Sequence, residues 1–112
     1  MSEIVDLANS LGKAIAQSPA ATKLRDARKA LNAESDLLKL LEQYHEQSDK
    51  MSKLEAENKT IEVEDKHKLQ ALHDKLVASD TFKKFTAAQM DYVDLMRQVN
   101  AALRKQLSET EQ

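Results

Sequence analysis

The stretch from Asp80 to Glu109, DTFKKFTAAQMDYVDLMRQVNAALRKQLSE, decides the fold. It contains no glycine and no proline, and its large apolar residues fall at helical intervals. Phe82, Phe85, Tyr92, Met96, Val99, Leu103 and Leu107 mark one stripe of a helix predicted from about Thr81 to Ser108. Met90 and Val93 lie well round the same helix from that stripe. A helix apolar on more than one side is usually buried on more than one side. This helix therefore asks for more cover than a single neighbour supplies.

Upstream, the chain reads the same way. Ser79-Asp80 is a cap signal for the last helix, and a fourth helix, about Glu62–Ala78, precedes it with Leu69, Leu72 and Leu76 on one face and Val77 beside them. A third, Glu34–Glu57, carries Leu37, Leu41, Tyr44, Ser48 and Met51 on one stripe, widened by Leu38, Leu40, His45 and Leu54. Asn32 is placed to cap it, and Glu34 and Asp36 give its first turn the charge that a helix N-terminus favours. Glu57-Asn58-Lys59-Thr60 reads as a hairpin loop. At the start, Ile4, Leu7, Leu11 and Ile15 define a helix over Glu3–Gln17. Ser18-Pro19 breaks it and opens a second, about Pro19–Leu31, with Leu24, Ala27 and Leu31 on one face. Residues 108–112 are polar and read as a frayed end.

The expected fold is all-α: one antiparallel bundle of about five helices over residues 1–112, two of them long. Composition agrees. One glycine and one proline in 112 residues leave little for the turns of a β fold. At 1.5 Å per residue the last helix would be roughly 40 Å long, the third roughly 35 Å and the others nearer 20–25 Å. Short helices cannot cover long ones from end to end, and self-association is the simplest remaining cover. Leu41, Tyr44, Met51, Phe82, Phe85, Tyr92, Met96, Val99 and Leu103 are the candidate interface. The stripe through Tyr92 and Leu103 has two readings, ordinary core or partner seam; methionine and tyrosine suit an adaptable contact surface.

A weak repeat at an offset of 61 sets Ser18 on Ser79, Lys23 on Lys84, Leu24 on Phe85, Ala27 on Ala88 and Leu31 on Tyr92. It reads either as a duplicated hairpin or as the ordinary look of a cap followed by an amphipathic helix.

Composition also limits chemistry. The formal charge is −2, and basic and acidic residues are interspersed. Direct nucleic-acid binding wants a clustered basic face, which Lys83-Lys84 and Arg104-Lys105 are too small to make. The absence of cysteine excludes disulfides and thiolate metal sites and fits a cytoplasmic protein. Met1–Gln17 lacks the basic leader and apolar run of a signal peptide. No run approaches the roughly 18–20 apolar residues of a membrane span. A membrane-surface role for the last helix is opposed by Asp91, Asp94 and Glu109.

Two Glu-x-x-His pairs, Glu42/His45 and Glu64/His67, match half of the ligand set of a di-metal carboxylate bundle. They support a rival reading as a small metal-dependent enzyme. Against it, Glu42 sits at the edge of its apolar stripe, Glu64 and His67 fall in polar first turns, and Pro19 breaks the first helical segment. His73, beside Leu72, reads as a half-buried or surface residue. Ser18 and Ser79 read as caps rather than nucleophiles, and a glycine-rich phosphate loop has no residues to build it. The expected catalytic, metal and cofactor sets are empty.

Several motifs together resemble one family. Ser18 leads into Lys23-Leu24-Arg25-Asp26-Ala27; a leucine-rich helix follows, Leu37-Leu38-Lys39-Leu40-Leu41-Glu42-Gln43-Tyr44. Beyond a polar hairpin come Phe82-Lys83-Lys84-Phe85, Ala88-Gln89, Tyr92 and Val99-Asn100. Over nearly its whole length the chain resembles the YlbF/YmcA family of small bacterial helical proteins. The resemblance implies an all-helical, self-associating cytoplasmic protein and a non-enzymatic regulatory adaptor with a protein partner. Better-known members join a complex that affects RNA processing by a membrane-tethered ribonuclease, with effects on competence, sporulation and biofilm formation. That complex has been associated with iron–sulfur clusters bound through cysteines. This chain departs from it in having none.

Overall fold

The computed structural model describes residues 2–111. It contains five helices: α1, Glu3–Ala16; α2, Pro19–Asn32; α3, Ser35–Ala56; α4, Val63–Val77; and α5, Asp80–Glu111. Among the described residues there is no strand. The all-α expectation holds, with α3 and α5 as the two long helices.

The breaks have local causes. At the α1–α2 corner, the Ser18 hydroxyl donates to the Ile15 carbonyl at 2.6 Å and accepts the Ala21 N–H at 3.2 Å. One side chain thus closes one helix and opens the next. Pro19 takes the first helical position, where its missing donor costs nothing. The Arg25 guanidinium donates to the Ala16 carbonyl at 2.8 Å, satisfying another of the acceptors a helix end leaves open. Ser79 repeats the opening half of this device, accepting the Phe82 N–H at 3.2 Å.

The predicted cap at Asn32 is corrected. Asn32 is the last residue of α2, and Glu34 stands at the α3 N-cap with extended backbone and no side-chain cap bond. The Ala33 N–H reaches the carbonyls of Lys29 and Ala30, and the Glu34 N–H that of Leu31. This tight backbone turn carries α2 past Asn32 and moves the break two residues on. α5 runs to Glu111, beyond its predicted end at Ser108, because no glycine or proline stops it. Gln112 lies outside the described residues.

The fold comprises two compact units: Met1–Arg28 with Phe85–Gln112, and Lys29–Lys84. In the second, α3 and α4 pack as an antiparallel hairpin. Its turn is a Schellman closure: the Lys59 N–H reaches the Leu54 carbonyl at 2.8 Å and the Asn58 N–H that of Glu55 at 3.1 Å. Asn58 accordingly takes a left-handed backbone, φ 57°, which asparagine tolerates better than most residues. Leu31, Leu37, Leu72 and Leu76 form this unit's buried core, and Leu76 is its most enclosed side chain. Full burial of such a leucine stabilises by about 1.5–3 kcal/mol. Among the described residues of the first unit, those buried are Ala21, Leu24 and Ala88, a smaller core.

Candidate interaction surface

Of the nine residues predicted to form an interface, eight are half-buried. Leu41, Tyr44, Met51 and Phe82 belong to the hairpin unit; Phe85, Tyr92, Met96 and Val99 belong to the other. Leu103 differs, with half its surface open. The α5 stripe is thus covered along its first part and bare toward its end, where Leu107 is 66% exposed.

A second uncovered surface lies on α1, which the sequence reading identified as an amphipathic helix without naming it in the candidate interface. α1 buries none of its residues. Ile4 is 79% exposed, Leu7 64% and Val5 55%, and Leu11 is also classed with the exposed apolar residues. The periodicity that identified this helix was the available signal. It shows that a stripe exists without showing what covers it. Met90 and Val93, away from the main stripe of α5, are exposed.

The hairpin unit carries the main polar contacts. Gln47, buried although polar, donates through Nε2 to the Asp65 carbonyl at 3.0 Å and to its Oδ1 at 3.3 Å. Lys50 Nζ lies 3.1 Å from the same carboxylate oxygen. The Lys50 hydrogen bond, followed by that of Gln47, holds Asp65 below the ordinary carboxylate pKa; partial burial opposes them. Nothing in the sequence pattern singled out Gln47, which sits where a polar residue meets the polar start of α4. A polar depression beside it is lined by Gln43, Glu46, Gln47, Lys50 and Lys68.

The Glu-x-x-His pairs stand apart from any such cluster. Glu42, His45, Glu64 and His67 are all exposed. His45 sets its ring edge-on to Tyr44 at 6.2 Å between centroids, and His73 lies 6.4 Å from the same ring. Among the described residues no group of three or more histidine or carboxylate side chains could hold a metal ion. Nor is any described helix long and apolar enough to cross a membrane.

The fold and this surface define an all-helical module that leaves apolar helix faces uncovered. The chain belongs to the YlbF/YmcA family, described as control of competence regulator ComK, which matches residues 4–108 and so spans both units. Its fold is similar to that of Bacillus subtilis RicA, whose crystal structure was solved in complex with RicF. The TM-score is 0.80 over 97% of this chain and 96% of RicA, at 17% identity. No curated protein matches the sequence.

Proposed function

We infer that this chain is a non-enzymatic cytoplasmic adaptor, one functional domain that self-associates and regulates by binding another protein. The observation that carries this reading is α1. A folded chain that leaves Ile4 79% and Leu7 64% exposed has apolar surface to offer a partner. Family membership supports the regulatory part. RicA, with the same fold, was crystallised with a protein bound to it, which supports a protein partner here. The finer role, control of RNA processing and development, rests on the family. It does not extend to cysteine-ligated clusters, because this chain has no cysteine.

The test is co-purification of the tagged chain from its native cells, followed by reconstitution of any recurrent companion from pure components. A stoichiometric complex that Leu7→Glu disrupts supports the adaptor reading, and an RNA-processing companion supports the finer role. A chain that copurifies with nothing, and turns over a substrate, overturns it.

A further inference from the structure

We propose that the depression between α3 and α4 binds a small aminocarboxylate zwitterion, its ammonium against Glu46 and Gln47 and its carboxylate against Lys68 and Gln43. The site lies within the hairpin unit of a single copy, apart from the apolar faces that carry the adaptor reading.

Gln43, Glu46, Gln47 and Lys50 follow the three- and four-residue spacing that sets side chains on one face of α3, and Lys68 closes the depression from α4. Its volume is about 460 Å³, within the roughly 300–1,000 Å³ of small-molecule sites. Gln47 is the fixed point of the lining, 4% exposed. Its amide nitrogen is committed to Asp65, at 3.0 Å from the carbonyl and 3.3 Å from Oδ1. Among the described residues no donor reaches its Oε1, yet no buried polar side-chain atom lacks a partner. That oxygen is therefore the part of Gln47 that opens on the depression, and it calls for a donor.

The charges of the lining are unevenly matched. Lys50, four residues after Glu46 and its natural partner on a helix, is drawn across to Asp65 at 3.1 Å. Glu46 is left without a cation and Lys68 without an anion: among the described residues neither takes part in an ion pair. The two line one depression with opposite charges and do not bridge it. An anion alone would lie near Glu46, and a cation alone near Lys68. A molecule carrying both charges is complemented at each end. Its ammonium donates to the Glu46 carboxylate and Gln47 Oε1, and its carboxylate accepts from Lys68 Nζ and the Gln43 amide. Such a ligand touches both helices, so binding it stabilises the hairpin.

The experiment is a titration of the full chain, read by the side-chain amide resonances of Gln43 and Gln47. The probes are glycine, β-alanine and γ-aminobutyrate, which span increasing charge separations. Butyrate and propylammonium, each with one charge, are the controls. At least one zwitterion is expected to saturate with a Kd on the order of a millimolar, and both controls to bind at least tenfold more weakly. Glu46→Gln and Lys68→Met are each expected to weaken that zwitterion about tenfold, the scale of one charge-assisted hydrogen bond. Both residues are exposed, so the variants should unfold in urea like wild type. No saturable shift with any zwitterion overturns the site. So does binding of a single-charge control as tight as the zwitterion, or an affinity unchanged in both variants. Each of these results leaves the adaptor reading standing, because the apolar faces take no part.

Discussion

Gln47 on α3 and Asp65 on α4 are joined twice, through the Asp65 backbone carbonyl at 3.0 Å and its side chain at 3.3 Å. The donor is a buried amide, so the contact ties the hairpin at a point where water cannot substitute for it. It also fixes the register of α4 on α3, because a shift of one residue would turn Asp65 away from Gln47.

Gln47→Ala is expected to destabilise the fold by about 1–3 kcal/mol, the cost of leaving buried polar atoms unpaired. Urea unfolding measures this, and a loss below about 0.5 kcal/mol would show that water takes over the contact.

Asp65 makes stability depend on acidity with a defined sign. Its folded pKa is lowered, first by Lys50 and then by Gln47. Its contribution is therefore fully present above the unfolded value of about 3.9 and is lost as pH falls through the lower folded value. Asp65→Asn should be less stable than wild type near pH 7, and the two curves should converge as pH falls below the unfolded value. A constant gap across that range would assign the loss to packing rather than charge.

Ser18 and Ser79 each accept the N–H of the residue three positions on, at 3.2 Å in both cases. Ser18→Ala and Ser79→Ala are each expected to cost about 0.5–2 kcal/mol, and Ser79→Asp to recover most of its loss. Thermal or urea unfolding of the single variants checks this. The shared geometry accounts for the match of Ser18 with Ser79 in the repeat at an offset of 61.

Asn58 holds the hairpin turn with a left-handed backbone. Asn58→Gly should be neutral or slightly stabilising, and Asn58→Val should cost about 1–2 kcal/mol. Equal stability of the two variants would show that the turn relaxes to another conformation.

Leu103 and Met96 share a stripe but differ in cover, Leu103 being half exposed and Met96 less so. Leu103→Lys is expected to weaken self-association about tenfold while changing unfolding by less than about 0.5 kcal/mol. Met96→Lys should lower both. Sedimentation and urea unfolding of the same samples separate the two effects.

Much of this fold was legible before any coordinates. Pro19, the two serine caps and the spacing of Leu37, Leu41 and Tyr44 act within a turn or two of chain, so they can be read locally. Asn32 misled because a cap-forming side chain competes with backbone bonds from Ala33 and Glu34, and the backbone turn prevailed. The candidate surface was only partly legible. Leu103 was named from its stripe; Ile4 and Leu7 were read as one face of an amphipathic helix, a spacing that does not say what covers it.

Periodicity is a property of the chain alone, and the sequence by itself determined five helices, their order and the apolar stripe on each. Cover is a property of what lies opposite, supplied by residues distant in the chain. Only the tertiary structure decided that Leu72 and Leu76 are enclosed, that Gln47 is buried against Asp65, and that the equally regular stripe on α1 is left bare. The physical reason is that burial depends on the geometry of the surrounding helices, which hydrophobic spacing does not encode.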